Sequence, residues 1–184
     1  MTNTTSIKSN IPLLGFVAYS GTGKTTLLEK LISELTRKNI RVALIKHAHH
    51  DFDIDIPAKD SYRLRKAGAS QVLVASNTRQ ALIIENTTIA NEPNLAQCIN
   101  SLQLDKLDLI LVEGFKHVAY PKIEINRSTH PQPYMYPEDE NIIALISDKN
   151  VELLKKLTLL NIDKHPDIIE FILNYIKQFT EQTT

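Results

Sequence analysis

A glycine-rich segment of eight residues limits the folds open to this chain more than any other feature of its sequence. Residues 18–25 are Ala-Tyr-Ser-Gly-Thr-Gly-Lys-Thr, which matches the phosphate-binding pattern G-x-x-x-x-G-K-[ST] at every position except the first. Ala18 suits that first position because a residue leaving a strand needs no positive φ. An apolar strand pattern, residues 11–18, precedes the segment, and a helical pattern starts at Lys24. This context predicts a P-loop that binds a nucleoside triphosphate.

Each residue type in the segment has a chemical reason. The two glycines, Gly21 and Gly23, let consecutive backbone N–H groups approach phosphate oxygens, and the start of the helix adds its positive end. Lys24 is placed for the β- and γ-phosphates and the hydroxyl of Thr25 for Mg²⁺, so Lys24 is also a catalytic candidate. The predicted nucleotide-binding residues are Ser20, Gly21, Thr22, Gly23, Lys24, Thr25 and Thr26.

A second element of a P-loop protein follows later in the chain. Residues 109–112, Leu-Ile-Leu-Val, form an apolar run that ends in Glu113. Ligands of parallel sheets bind at the carboxyl ends of the strands, so an acid at this position lies next to the phosphate site. We expect Glu113 to be catalytic, by orienting an attacking water, or to bind Mg²⁺. An ordinary solvated carboxylate is the alternative interpretation.

The alternation of strand and helix patterns predicts an α/β fold. The strand patterns 107–112 and 141–147 contain the continuous apolar runs 109–112 and 142–146, which are typical of strands buried on both faces of a parallel sheet. We therefore predict a P-loop NTPase fold with a mainly parallel sheet, flanking helices and an antiparallel edge hairpin at residues 71–85. Residues 122–127, Lys-Ile-Glu-Ile-Asn-Arg, begin with an alternation of charged and apolar side chains and predict an edge strand. Residues 1–10 are expected to form a flexible tail, and residues 11–184 a single nucleotide-binding domain.

Two other groups of polar residues are candidates for the site. Asp148 follows the strand pattern 141–147, and its carboxylate can accept both the N1–H and the 2-amino group of guanine. It can equally be an ordinary turn aspartate. Residues 47–55 contain three histidines and three aspartates, which predicts a switch loop that senses phosphate and Mg²⁺, a solvated loop or a transition-metal site. Asp53 is our metal-binding candidate in this segment.

Composition excludes several classes of function. Lys plus Arg and Asp plus Glu each number 21, so no net charge draws the protein to nucleic acid or to an anionic membrane. No apolar run reaches the about 18 residues that a membrane span needs. One cysteine cannot form an intrachain disulfide. These observations favour a cytoplasmic protein.

Four segments together resemble one family. They are Ser-Gly-Thr-Gly-Lys-Thr-Thr-Leu-Leu at residues 20–28, Leu-Ile-Lys-His-Ala-His-His-Asp at 44–51, Lys-Asp-Ser-Tyr-Arg-Leu-Arg-Lys-Ala-Gly-Ala at 59–69 and Leu-Asp-Leu-Ile-Leu-Val-Glu-Gly-Phe-Lys-His at 107–117. In this order they are similar to the MobB family, the molybdopterin-guanine dinucleotide biosynthesis adaptor proteins. The resemblance extends from Ile11 to Asp148.

The resemblance implies GTP binding with Mg²⁺, weak GTP hydrolysis and a homodimer. It also implies work beside the molybdenum cofactor guanylyltransferase, which joins GMP to molybdopterin; direct binding of molybdopterin to this chain is left open. The last helix and the hairpin at residues 71–85 are the two candidate dimer surfaces. A small-molecule kinase built on the same P-loop and a metal-delivery GTPase that uses His47, His49 and His50 are the alternatives.

Overall fold

The computed structural model describes residue 7 and residues 9–48, 52–86 and 92–183. The chain forms two compact units: residues 1–47 with 94–184, and residues 48–93. A single domain over residues 11–184 stays a prediction. Most of the predicted flexible tail, residues 1–6 and 8, lies outside the described residues.

Eight strands and four α-helices form within the described residues. The strands are β1 (Leu13–Val17), β2 (Val42–Lys46), β3 (Gln71–Ala75), β4 (Gln80–Ile84), β5 (Leu109–Glu113), β6 (Lys122–Asn126), β7 (Ile142–Ser147) and β8 (Thr158–Asn161). The helices are α1 (Lys24–Arg37), α2 (Asp60–Lys66), α3 (Leu95–Asn100) and α4 (His165–Thr183), and a short 3-10 turn covers Leu104–Lys106.

The first unit is built on a six-stranded sheet in the order β2-β5-β1-β6-β7-β8. All five strand pairs are parallel. The mainly parallel sheet with flanking helices is therefore confirmed. β8 was not predicted, because a four-residue edge strand with half-exposed side chains carries little hydrophobic pattern.

Apolar side chains cover this sheet on both faces. Along β5, Leu109 and Leu111 join the cluster that packs against α1 and α4, whereas Ile110 and Val112 join the cluster that contains α3. The continuous apolar run of this strand reflects burial on both faces, as its sequence predicted. Because side chains alternate between the faces, polar groups of the sheet are confined mostly to the ends of the strands.

Helix α1 follows directly from its sequence. Its leucines at helical spacing form the buried stripe, and Asn39 ends the helix with a φ of 62°. Asparagine tolerates this left-handed conformation better than most residues, which suits Asn39 to its position just after the helix.

The prediction of an edge strand at residues 122–127 is wrong. Strand β6 pairs with β1 on one side and with β7 on the other, and all five of its residues are buried. The sequence pattern misled because the strand carries two charged residues, Lys122 and Glu124, inside the sheet. Alternation of charged and apolar residues normally marks a strand with one solvated face.

Both buried charges are compensated by specific partners. Lys122 is 1% exposed, its Nζ lies 2.6 Å from a carboxylate oxygen of Asp139, and it also donates to two backbone carbonyls. Glu124 is fully buried and accepts hydrogen bonds from the backbone N–H groups of Met135 and Tyr136. Buried charges persist where such partners replace water.

The second unit contains α2 and the hairpin of β3 and β4. The two strands form their own antiparallel sheet, in which Leu73 faces Leu82. The predicted antiparallel hairpin is confirmed, but its strands form a two-stranded sheet of their own and are not an edge of the six-stranded sheet. Arg65 of α2 binds the carboxylates of Asp53 and Glu85, with distances of 2.5 and 2.6 Å.

We predict that Lys122→Ala lowers the free energy of unfolding by about 3 kcal/mol, because truncation leaves Asp139 and two buried carbonyls without their partner. Urea denaturation followed by circular dichroism measures this loss. Lys177→Ala is the matched control, since its ion pair with Glu181 is exposed and is expected to contribute less than about 0.5 kcal/mol. Equal losses in the two variants would contradict a structural role for the buried charge.

Candidate functional site

The P-loop connects the carboxyl end of β1 to α1. Gly21 and Gly23 have φ values of 82° and 81°, which residues other than glycine rarely adopt. Gly23 directly precedes the first residue of α1. The hydroxyl of Thr22 is buried and donates to the carbonyl of Tyr19 at 3.0 Å, so it ties the loop together. Ser20, Thr25 and Thr26 are exposed at the loop and at the first turn of α1.

Lys24 and Glu113 meet beside this loop. The Nζ of Lys24 lies 3.2 Å from one carboxylate oxygen of Glu113, and the Nζ of Lys46 lies 3.7 Å from the other. The contact arises because β5 is hydrogen-bonded between β1 and β2, whose carboxyl ends stop at the same level. The structure thus brings together the two residues that the sequence predicted to be catalytic.

Lys116 reaches the same place from the loop after β5. Its Nζ lies 5.2 Å from the ring centroid of Tyr19 in the P-loop. Burial, and then the positive charge of Lys24, lower the pKa of Lys116. A lysine held against this repulsion gains from any anion that binds beside it.

Asp148 lies at the carboxyl end of β7 and is already hydrogen-bonded. Its carboxylate accepts the hydroxyl of Ser128 at 2.6 Å and the backbone N–H of Ser128 at 2.9 Å. The hydroxyl hydrogen bond lowers the pKa of Asp148. Asp148 therefore fastens the segment that follows β6 to the end of β7.

That fastened segment carries two side chains that the sequence analysis missed. A methyl group added at Gly23 would lie 3.6 Å from Cζ of Arg127, and one added at Gly21 would lie 3.2 Å from Nε2 of His130. They were missed because β6 was predicted at the edge of the sheet, away from the P-loop. The sequence of β6 carries no signal for a central strand, because Ile123 and Ile125 alternate with polar residues and belong to one apolar cluster, as in a strand with one buried face.

The predicted site residues of segment 47–55 do not lie together in the described structure. His47 belongs to the first unit and stacks on Phe115 with ring centroids 4.8 Å apart. His49, His50 and Asp51 lie outside the described residues. Asp53 belongs to the second unit, where its hydrogen bond with Arg65 lowers the pKa of Asp53.

Two absences hold for the part of the chain that the structure describes. No group of three or more His, Cys, Asp or Glu side chains there is arranged to hold a metal ion. Among the same residues, no helix is long and apolar enough to cross a membrane.

Positive charge predominates around the P-loop. Lys24 and Lys46 form ion pairs with Glu113, Lys116 lies over the ring of Tyr19, and Arg127 lies beside Gly23. Together with the positive end of α1 and the N–H groups of the loop, they make a site for a strongly anionic ligand. A chain of phosphates has the charge and length that this arrangement requires.

Comparison with known proteins gives a consistent family. Residues 13–148 match the family model described as Molybdopterin guanine dinucleotide synthesis protein B. The chain is 46% identical over 172 residues to the molybdopterin-guanine dinucleotide biosynthesis adapter protein of Escherichia coli, an alignment that covers 93% of this chain and 97% of that protein. It is 43% identical over 176 residues to the adapter protein of Haemophilus influenzae, with 94% of each chain covered.

A solved structure agrees with the fold. The crystal structure of Bacillus subtilis MobB superposes with a TM-score of 0.70 at 23% identity, and the match covers 90% of this chain and 98% of that one. At this identity the likeness shows the fold alone. The predicted P-loop NTPase fold is thereby confirmed.

We predict that Ser128→Ala raises the pKa of Asp148 toward the ordinary aspartate value, because the variant loses the hydroxyl that stabilises the ionised form. The carboxyl ¹³C titration of Asp148 by NMR measures the change. Asp108 is the control, since its pKa is lowered by Arg41 and should not move.

The hydrogen bond from the Ser128 hydroxyl to Asp148 contributes to stability in a way that depends on pH. The folded-state pKa of Asp148 lies below its unfolded value, so its contribution to stability is full above the unfolded pKa and is lost as pH falls through the folded pKa. The stability difference between wild type and Ser128→Ala should therefore shrink on acidification. A difference that grows as pH falls would contradict this assignment.

Proposed function

We propose that this chain, which belongs to the Molybdopterin guanine dinucleotide synthesis protein B family, binds GTP with Mg²⁺ and hydrolyses it slowly. Its role in that biosynthesis is that of an adapter. The observation that carries the proposal is the P-loop with Lys24 and Glu113 at its side. A GTP-dependent step needs a compartment that contains GTP, so the proposal includes a cytoplasmic location.

Different groups of the P-loop bind different parts of the triphosphate. Backbone N–H groups of residues 20–26 point to phosphate oxygens, and Lys24 leaves its ion pair with Glu113 to bind the β- and γ-phosphates. The binding free energy must therefore exceed the cost of breaking that pair. Because Lys46 also lies beside Glu113, the carboxylate keeps a cationic neighbour when Lys24 turns away.

The residues at the site fit a magnesium ion. A hydroxyl from Thr25 and a carboxylate from Glu113 are oxygen donors of the kind that Mg²⁺ prefers. Bound there, the ion would neutralise charge on the β- and γ-phosphates. Asp53 stays a proposal as a further metal-binding residue, and in the structure its carboxylate is held by Arg65.

Asp148 is the proposed guanine-binding residue. Each carboxylate oxygen has two lone pairs, so the group can still accept hydrogen bonds from a base while it holds Ser128. Its position at the carboxyl end of β7 places it on the same edge of the sheet as the P-loop, with β6 between the two strands. Adenine presents no such pair of donors, which gives the site a preference for GTP over ATP.

Slow hydrolysis follows from the residues that surround the phosphates. Residues 18–25 and 113–117 contain no glutamine, the side chain that orients the attacking water in fast P-loop GTPases. In this proposal Glu113 orients the water instead. In this proposal the adapter role depends on GTP binding more than on GTP hydrolysis.

An adapter requires a partner, and we propose two. One is the molybdenum cofactor guanylyltransferase, with molybdopterin as a further candidate ligand of the assembled complex. The other is a second copy of this chain, bound through the hairpin of the second unit. A two-stranded sheet is marginally stable alone, and this hairpin exposes the apolar residues Leu73, Val74, Leu82 and Ile84.

Calorimetry tests the nucleotide site. We expect wild type with Mg²⁺ to bind GTP more tightly than ATP, and Lys24→Ala to weaken GTP binding by about 10-fold or more, since it removes charge-assisted hydrogen bonds to phosphate. Lys30→Ala changes an exposed lysine of the same helix and should bind as wild type does. Equal or tighter binding of ATP would refute Asp148 as the guanine-binding residue and favour a kinase.

Light scattering tests the homodimer. We expect Leu73→Glu combined with Leu82→Glu to convert a dimer into a monomer, because two facing charges replace the apolar surface of the hairpin. Leu154→Glu is the control, since Leu154 is 80% exposed and lies in the first unit. A dimer that survives the double substitution would move the interface elsewhere, with α4 as the next candidate.

A further inference from the structure

The position of Arg127 follows from the topology of the sheet. Arg127 comes directly after β6, which is hydrogen-bonded to β1, and β1 leads into the P-loop. The two strands run in the same direction, so the residue that leaves β6 and the loop that leaves β1 lie on the same edge of the sheet. The side chain of Arg127 is therefore close enough to contact a phosphate bound in the loop.

The guanidinium lies against the last glycine of the P-loop. From the position of a methyl group on Gly23, the distances are 3.6 Å to Cζ, 3.8 Å to Nη2 and 3.9 Å to Nε of Arg127. Gly23 directly precedes Lys24, whose side chain serves the same phosphates in the proposed site. Arg127 and Lys24 thus reach the loop from two different elements, β6 and α1.

Within the described residues, the guanidinium of Arg127 has neither a hydrogen bond nor an ion pair, and its Nε is a buried donor without a partner. Buried donors of folded proteins are nearly always satisfied, so an exception calls for an explanation. A guanidinium presents five N–H donors in a planar fork that matches the oxygens of phosphate. A phosphate bound in the loop would satisfy it.

The backbone around Arg127 is held in place. Ser128 is bound to Asp148 through both its N–H and its hydroxyl, and the N–H of His130 donates to the carbonyl of Arg127 at 3.1 Å. This turn keeps the guanidinium over Gly23 before any ligand arrives. Such preorganisation reduces the entropy that binding must overcome.

We propose that Arg127 is a phosphate-binding residue of the nucleotide site, supplied within the same chain, and that Ser128 and Asp148 are the positioning residues that hold it there. The inference rests on the proposed function, because it needs a phosphate chain in the P-loop. It gives Asp148 a second task, since the residue proposed to bind guanine also fixes the cation that binds phosphate.

Calorimetry with two probes, GTP and inorganic tripolyphosphate, tests this inference in the presence of Mg²⁺. We expect Arg127→Gln to weaken both by about 10- to 100-fold, because charge-assisted hydrogen bonds to phosphate are lost. Arg127→Lys should lose less, since it keeps the charge but not the bidentate geometry. Arg37→Gln, which changes an exposed arginine at the end of α1, should bind as wild type does.

Thermal unfolding without ligand separates binding from a structural role. We expect Arg127→Gln to be as stable as wild type or more stable, because a buried donor without a partner is removed. A less stable variant with unchanged affinity would overturn the inference and make Arg127 structural. If wild type binds GTP and Arg127→Gln binds it equally well, the inference fails while the proposed function stands. If wild type binds neither probe, both fail.

Discussion

Burial of the parallel sheet on both faces is the constraint on which this structure depends. Side chains of the central strand β5 point alternately into two apolar clusters, so a polar group on such a strand is stable only with an internal partner. Lys122 and Glu124 satisfy that condition with Asp139 and with backbone N–H groups. The other polar groups of these strands are displaced toward the strand ends, where loops and solvent can accommodate them.

The functional site forms because the polar groups lie at the ends of the strands. Parallel strands end on one edge, and there the sheet brings together the P-loop after β1, Lys46 from β2, Glu113 from β5, Arg127 after β6 and Asp148 after β7. No single segment of the chain makes the site; each strand contributes about one polar group. The surplus of cations over the acid Glu113 then selects a polyanionic ligand, and the P-loop selects phosphate.

Local patterns in the sequence predicted the parts that local interactions determine. The P-loop, the helix after it and the buried strand that ends in Glu113 have spacings fixed by backbone geometry, so they were recognisable. The pairing of β6 was not, because the carboxylate that pairs with Lys122 and the N–H groups that bind Glu124 lie 11 to 17 residues along the chain. Arg127 was missed for the same reason, since its importance depends on which strand lies beside β1. The place of Asp53 in a separate unit likewise depends on contacts that no motif encodes.

A crystal structure of the chain with Mg²⁺ and a non-hydrolysable GTP analogue would show whether this edge of the sheet binds the triphosphate of GTP. We expect the β- and γ-phosphates on the N–H groups of residues 20–26, with Lys24 and Arg127 as ligands of the phosphate oxygens and Asp148 facing the base. A nucleotide bound elsewhere, or phosphates in the loop with the Arg127 guanidinium turned away from them, would contradict this expectation.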